Sequence, residues 1–198
     1  MNDDNTLCVL GLDPGIASFG WAVAAIDGDG VITPSELGVI RTDKAKGKVL
    51  CRDDDHARCA EIARALLALC ALHSPRVICA EALSHVAPPP KGMRSRMPVS
   101  TMTKQGRVWG LVDMLCEVRR IPLLQASPQT IKRTCTGRVG ASKADVLRAL
   151  DERYAGRVTA LLDPIRAKTR HEHPVDALGA IVALEHHDLL RALRRRWS

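Results

Sequence analysis

Two carboxylates in this chain stand where an apolar segment ends. Asp13 directly follows the apolar run of residues 9–12, and Glu81 directly follows the apolar run of residues 77–80. One such acid alone is usually a turn or cap residue, but a buried carboxylate is costly unless it is paired or bound to a metal. If the two runs are neighbouring strands, the acids meet at one sheet edge, and such close like charges favour a cation between them. Hard divalent cations prefer oxygen ligands, so the pattern predicts a metal site.

The segment "THEHPVDALGAIV" offers a third contribution. Pro174 is typical of the first position of a helix, which predicts His173 as N-cap and Asp176 in the first turn. Residues three apart share a helix face, and the positive end of the helix dipole favours the Asp176 carboxylate. An exposed polar cap is the alternative interpretation of His173, and His171 is a rival for any role given to it. The predicted catalytic and metal-binding set is Asp13, Glu81, His173 and Asp176.

These side chains need a sheet and helices to position them. Apolar patterning and turn signals predict five strands, over residues 7–12, 19–26, 36–41, 77–80 and 122–126. Capping signals predict helices that begin near Asp55, near residue 101, at Ser127, at Ser142 (a capping box) and, for the last helix, at Pro174. Residues 155–171 have no clear pattern. The order of these elements predicts a mixed α/β domain.

Length and composition indicate one globular domain over residues 1–198, with its core over about 7–190 and a short basic tail over 191–198. Aromatic residues make up only 3% of the chain, so the core is expected to be aliphatic. The seven cysteines are odd in number and have no C-x-x-C spacing, which favours small buried hydrophobes in a reducing compartment over a zinc site. We find no signal peptide and no membrane-spanning run, so a cytoplasmic protein of a bacterium or phage is expected.

Positive charge is concentrated in this chain. The formal net charge is +7, and no acid occurs over residues 82–112 or 118–144. A solvated surface normally mixes signs, so acid-free stretches of this length favour contact with the phosphates of a polyanion. The first stretch includes a long, Pro-rich loop predicted over residues 84–103. The candidate contacts are Lys91, Arg94, Arg96, Lys104, Arg107, Lys132, Arg138 and Lys143.

Several segments together resemble one family. "GLDPG" followed by Gly20, "VICAEAL" and "HPVDALGAIVA" are similar to the three active-site segments of the RuvC family of Holliday-junction resolvases. "LGVIRT", "STMTKQGRVWGL" and "SPQTIKRTCTGRVGASKADV" resemble further family segments in the same order, so the likeness covers most of residues 7–187. The resemblance implies a ribonuclease-H-like fold with a mixed five-stranded sheet and helices on both faces. It also implies a homodimer that cuts four-way DNA junctions by paired nicks, with Mg²⁺ or Mn²⁺.

The resemblance extends to single residues. It implies that the three acids are metal ligands and that His173 is a fourth ligand, at a position where some members have Asp and others His. Lys132 and Lys143 match basic residues that the family uses on the DNA backbone. Ser84 departs from the family, which often has an aromatic residue there, and the loop that follows it is longer and more basic.

The expected mechanism is two-metal phosphodiester hydrolysis, with two ions about 3.5–4 Å apart in each active site. Asp13 is the expected bridging ligand, because it ends the central strand. A two-fold dimer is expected from the symmetry of paired nicks. The predicted helix over 101–118 is the proposed interface, through its residues Met102, Val108, Trp109 and Leu115.

Three alternatives remain. An ATPase of the actin and sugar-kinase type shares the D-x-G turn, but such proteins need two domains of this kind to enclose a nucleotide. A YqgF-type RNA-processing nuclease shares the fold but is usually shorter and lacks the extended basic segments. The third alternative is a non-catalytic junction-binding protein. The full set of four predicted metal ligands argues against it. A helicase partner and a cut-site preference are not encoded in these patterns.

Overall fold

The computed structural model describes residues 6–83 and 98–195. Five strands form one mixed sheet in the order β3-β2-β1-β4-β5. Strands β1, β2 and β3 pair antiparallel, whereas β4 and β5 run parallel to β1. The strands are β1 (Leu7–Asp13), β2 (Ser18–Ile26), β3 (Ile32–Arg41), β4 (Val77–Glu81) and β5 (Leu123–Ala126). The helices are α1 (Cys51–His73), α2 (Val99–Arg119), α3 (Pro128–Thr136), α4 (Lys143–Arg153), α5 (Arg157–Leu162), α6 (Glu172–Ala183) and α7 (Asp188–Arg194), with a short 3₁₀ helix over Lys168–Arg170.

Both faces of the sheet carry helices, as predicted. Side chains alternate along a strand, and in β1 this divides the core in two. Leu7 and Val9 pack in one core with residues of α4, α5, α6 and α7. Leu10 and Leu12 pack in a second core with α1 and α2. Asp13 follows the alternation of Leu7 and Val9, so its side chain lies on the α6 face.

Helix α6 lies directly on the centre of the sheet. A Cβ atom at Gly11 of β1 would overlap the backbone oxygen of Ala177, and one at Gly20 of β2 would overlap the backbone of His173. Only glycine permits so close an approach of the helix backbone to the strands. This contact places the first turn of α6 beside the carboxyl end of β1.

Two predicted helix starts are wrong. Asp55 does not cap α1, which begins earlier at Cys51 and has Leu50 as N-cap without a side-chain hydrogen bond. His173 does not cap α6, which begins at Glu172 with His171 as N-cap. Proline is tolerated throughout the first turn, where its missing N–H has no helical partner, so Pro174 did not identify the first position. Helix α6 is not the last helix either, because residues 191–194 of the predicted tail belong to α7.

Two other helix starts are confirmed. The Ser127 hydroxyl accepts a hydrogen bond from the Thr130 amide at 3.1 Å. Ser142 and Asp145 form the capping box: the Asp145 amide donates to the Ser142 hydroxyl at 3.2 Å, and the Ser142 amide donates to Asp145 Oδ2 at 2.9 Å. Residues 155–171, which have no clear sequence pattern, hold α5 and the 3₁₀ helix.

The predicted interface residues of α2 mostly belong to the core. Val108, Trp109 and Leu115 are 0%, 8% and 6% exposed and pack between α1 and the sheet. Their apolar surface covers the sheet face within the subunit, contrary to the prediction. Met102 is 52% exposed and remains available.

The cysteines are mostly buried, as predicted. All seven are free thiols, and Cys59, Cys70, Cys79 and Cys116 are buried. Burial raises the pKa of the Cys79 thiol to about 12, so this thiol stays protonated. Cys51 is exposed, contrary to the prediction.

Among the described helices, none combines the length and hydropathy that a transmembrane span requires.

Candidate metal centre

The three predicted acids meet at one edge of the sheet. Oxygen atoms of Asp13, Glu81 and Asp176 all lie within 4.8 Å of one another, and we call these residues the acidic cluster. Strands β1 and β4 are parallel neighbours in which Leu12 pairs with Ala80, so the acids that follow stand side by side. Both acids lie on the face that α6 covers, and α6 contributes the third carboxylate.

The acidic cluster is crowded with negative charge. Burial raises the pKa of Glu81 to about 8, and the carboxylates of Asp13 and Asp176 add to this effect. Burial also raises the pKa of Asp176, although its hydrogen bond with Lys143 opposes the shift. Like charges in a half-buried site destabilise one another. The cluster therefore has both the oxygen ligands and the electrostatic need for a divalent cation.

Lys143 supplies part of the missing positive charge. Its Nζ lies 2.9 Å from Asp176 Oδ2 and 3.0 Å from Glu172 Oε2. Burial alone would lower the pKa of Lys143, but the hydrogen bonds and charges of Asp176 and Glu172 outweigh it and raise the pKa. The side chain is 51% exposed, so its ammonium lies between the acidic cluster and solvent.

His173 lies next to the acidic cluster without being one of its three members. Its Nδ1 is 2.7 Å from Asp13 Oδ2, and its Nε2 is 3.8 Å from Glu172 Oε1. The hydrogen bond with Asp13 raises the pKa of His173, although burial acts in the opposite direction. His171 is no rival here, because its Nε2 lies 2.8 Å from the Ile165 carbonyl oxygen.

The predicted DNA contacts have different surroundings. Lys104 of α2 forms an ion pair of 3.1 Å with Asp55 of α1 and is only 20% exposed. Arg138 is 69% exposed and lies 3.7 Å from Asp145. Arg107 is exposed on α2, and Lys132 is partly exposed on α3. Three other predicted DNA contacts lie outside the described residues, namely Lys91, Arg94 and Arg96. Ser84, which departs from the family pattern, also lies outside them.

Three further residues contact the candidate site or line the cavity beside it, and they were not foreseen. Glu172 contacts both Lys143 and His173, and its only sequence signal is its position beside His173. Gln105 and Trp109 line a cavity of about 140 Å³ together with Asp13 and Glu81. Both lie in the segment "STMTKQGRVWGL", whose resemblance to the family was the one available signal.

Comparison with known proteins places this chain in a family. No protein-family model matches the chain. A crossover junction endodeoxyribonuclease RuvC from a Synechococcus species is 30% identical over 144 residues, which are 72% of this chain and 80% of the relative. The protein of the same name from Brevibacillus brevis is 25% identical over 90% of both chains.

Solved structures agree on the fold. Thermus thermophilus RuvC in complex with a Holliday junction substrate has a TM-score of 0.67 and 17% identity, and the match covers 93% of this chain and 98% of that one. This likeness confirms the predicted ribonuclease-H-like fold. Given this fold and the 30% identity to a relative over 72% of the present chain, the chain belongs to the RuvC family of crossover junction endodeoxyribonucleases.

Proposed function

We propose that the acidic cluster is the active site with which this chain, a metal-dependent junction-resolving endonuclease by its family, cuts branched DNA. One observation carries the assignment. Two parallel strands and one helix bring oxygen atoms of Asp13, Glu81 and Asp176 within 4.8 Å of one another. Burial raises the pKa of Glu81 to about 8, and the neighbouring carboxylates add to this shift. A cluster that holds its carboxylates against mutual repulsion is suited to bind cations.

Mg²⁺ or Mn²⁺, two per active site, are the proposed ions, and when bound they would activate water and stabilise the charge on the leaving oxygen. The chain's own residues prepare the site for them. Asp13 stands between β4 and α6 and is the proposed bridging ligand. His173 is the proposed fourth ligand, since its ring already lies against Asp13. Glu81 must lose its proton before it can bind a cation.

Lys143 has two roles in this proposal. In the absence of a cation it neutralises Asp176. When that carboxylate binds a cation instead, the half-exposed ammonium of Lys143 becomes available to a DNA phosphate. The same residue thus compensates charge in the free protein and contacts the backbone of the substrate.

Further phosphate contacts are proposed from three predicted residues that are exposed or partly exposed: Arg107, Lys132 and Arg138. Lys91, Arg94 and Arg96 remain candidates by their position in the acid-free stretch. Lys104 is the weakest candidate, because its charge is compensated by Asp55. The acid-free composition of these segments supports contact with nucleic acid.

We also propose a homodimer through the outer side of α2. Val99, Met102, Met114 and Val118 are 78%, 52%, 64% and 67% exposed on that side. Between them lie Gly106 and Gly110, and a Cβ atom at either would meet open space. Two copies of this helix could therefore pack with close backbones, and a two-fold axis would present two active sites to one four-way junction.

One experiment tests the activity directly. The chain is incubated with synthetic four-way, three-way and linear duplex DNA in Mg²⁺ and separately in Mn²⁺. Cleavage of the four-way junction in preference to the duplex is the expected result. Binding of the junction without cleavage in either metal would instead support a non-catalytic junction-binding protein. Preferential cleavage of RNA would support an RNA-processing nuclease.

The dimer is tested by light scattering and by the pattern of nicks. Gly110→Leu places a bulky side chain in the centre of the proposed interface without a clash inside the subunit. We expect this variant to become monomeric and to lose paired nicks, whereas Leu72→Ala, at a residue 74% exposed on α1, remains dimeric. A monomeric wild-type chain that still cuts both strands together would contradict the proposal.

A further inference from the structure

A buried polar network lies behind the turn that follows Asp13. Arg58 of α1 and Thr42, just after β3, are 5% and 3% exposed. Arg58 Nε donates to Thr42 Oγ1 at 2.8 Å, and Nη2 lies 3.5 Å from the Thr42 carbonyl oxygen. The guanidinium therefore holds both the side chain and the backbone of one threonine.

Thr42 in turn holds the turn itself. Its hydroxyl donates to the Ile16 carbonyl oxygen, and its amide donates to the Ala17 carbonyl oxygen at 3.4 Å. Ile16 and Ala17 belong to the short connection between Asp13, at the end of β1, and Ser18, at the start of β2. The threonine thus links the α1 side of the protein to the connection that begins at the Asp13 carboxylate.

Arg58 is itself oriented from its other side. Its Nη1 lies 3.6 Å from Asp54 Oδ2, between side chains that are 6% and 12% exposed. Asp54 Oδ1 also accepts a hydrogen bond from the Ala45 amide at 2.7 Å. A buried ion pair of this kind costs desolvation, and apolar residues of similar size often stabilise a fold as well. A hydrogen-bonded network differs from apolar packing because each hydrogen bond has a preferred direction, which fixes the positions of the groups that it joins.

We propose that Thr42 and Arg58 are positioning residues that hold the Asp13 carboxylate in register with Glu81 and Asp176. The proposal rests on the function assigned above to the acidic cluster and adds a buried clamp, formed by Thr42 and Arg58, on the opposite side of the sheet. A functional group must be held within about half an ångström of its productive position. Asp13 is the last residue of β1 that pairs with β2, opposite Gly20. The clamp fixes the connection that follows and so limits fraying of this terminal pair.

The test is Mn²⁺ binding to the full chain without DNA, followed by electron paramagnetic resonance of the free ion. Thr42→Val keeps the shape of the side chain and removes the hydroxyl that joins Arg58 to Ile16. We expect Mn²⁺ binding about tenfold weaker, which corresponds to about 1.4 kcal/mol. Thr42→Ser keeps the hydroxyl and should bind Mn²⁺ like the wild type. The metal concentration for half-maximal cleavage should shift in parallel.

Val158→Ala is the matched control for stability. Val158 is fully buried on α5 in the core of the other sheet face and touches no part of the clamp. It should lower the melting temperature as Thr42→Val does and leave Mn²⁺ binding unchanged. Equal loss of Mn²⁺ binding in Val158→Ala and Thr42→Val would reduce the effect to general stability and overturn the proposal.

Asp13→Asn separates this inference from the proposed function. If Asp13→Asn loses Mn²⁺ binding and Thr42→Val does not, the acidic cluster stands and the clamp has no positioning role. If Asp13→Asn binds Mn²⁺ as the wild type does, the acidic cluster itself is not the metal site. Loss in both variants, with Thr42→Ser and Val158→Ala unaffected, supports both proposals.

Discussion

Two groups of largely buried acids occupy opposite faces of the sheet, and they differ in how their charge is compensated. Asp54 and Asp55 of α1 have side chains that are 12% and 8% exposed. Asp13 and Asp176 of the acidic cluster are similar, at 18% and 11%. Burial alone therefore does not distinguish them.

Their partners do. On α1 each acid has its own base, because Asp54 pairs with Arg58 and Asp55 pairs with Lys104. In the acidic cluster, Lys143 is shared between Asp176 and Glu172, and His173 contacts Asp13. Burial raises the pKa of Glu81 to about 8, and the charges of Asp13 and Asp176 add to this shift. Acids that each have their own base need no further cation, whereas acids that exceed their bases indicate a cation site.

The largest expected effect is the loss of cleavage in the acidic cluster. Asp13→Asn and Glu81→Gln each remove a charged metal ligand, so we expect cleavage of a four-way junction to fall below detection while binding of the junction persists. Gel-shift and cleavage assays on the same substrate measure the two properties. The matched variant is Asp55→Asn, which should lower stability and retain cleavage. Near-normal cleavage by Asp13→Asn would show that the two groups of acids do not differ as described.

Substitutions of His173 should have the next largest effect. Imidazole suits Mn²⁺ better than Mg²⁺ and must be neutral to bind either ion. The hydrogen bond with Asp13 raises the pKa of His173, so cleavage should decline as pH falls through a range above its ordinary value of 6.5. His173→Asp should shift preference toward Mg²⁺ and move this decline to lower pH.

His173→Asn is the corresponding control, since asparagine is a poor substitute for imidazole at a transition metal. The cap interpretation no longer competes, because His171 is the N-cap of α6. Full activity of His173→Asn in both metals would end the proposed role of His173 as a ligand.

A smaller effect is expected on the stability of the metal-free protein. The folded-state pKa of Glu81, about 8, lies above its ordinary value of 4.5. The folded protein thus binds this proton more tightly, and the resulting stability is full below about pH 4.5 and is lost as pH rises to about 8. Glu81→Gln has no proton to lose at this position, so it keeps its stability as pH rises. Its melting temperature should therefore increase relative to that of the wild type as pH rises from about 4.5 to about 8.

The stability difference should reach a few kcal/mol at most, because one pKa unit corresponds to about 1.4 kcal/mol. Saturating Mg²⁺ should reduce it, since the cation compensates the same charge. Melting curves with and without metal measure both effects. A difference that is independent of pH would contradict the proposed repulsion within the acidic cluster.

The smallest expected effects concern single phosphate contacts. Lys132→Ala should weaken binding to all DNA sequences and reduce the slope of log affinity against log salt by roughly 0.9. Lys104→Ala should leave this slope almost unchanged, because Asp55 already compensates its charge. Filter-binding titrations at several salt concentrations compare the two variants. Equal slopes for Lys132→Ala and the wild type would remove Lys132 from the DNA interface.

The sheet and the acidic cluster could be predicted because their signals are local. An apolar run that ends in an acid can be recognised within one segment. Two such runs, which end in Asp13 and Glu81, predict that the two acids share one edge of the sheet. Contacts across long separations could not be predicted in this way. Lys143 is paired with Asp176 through the fold, and no pattern around either residue indicates the other.

The wrong expectations have the same physical origin. Asp55 has the residue type of an N-cap, but α1 extends past it to Leu50, which makes no side-chain cap. Trp109 suggested surplus apolar surface on α2, but in a chain with few aromatics it is needed to fill the core beside α1. Local residue type decides neither case, because tertiary packing outweighs it.

The acidic cluster is tested most directly by the anomalous diffraction of crystals grown with Mn²⁺. The expected result is anomalous density between the carboxylates of Asp13, Glu81 and Asp176, with Lys143 displaced from Asp176. The same crystals of Asp13→Asn should lack that density. Density at Asp54 and Asp55 with none at the acidic cluster would contradict the account, because it would place the cation where the acids already have bases.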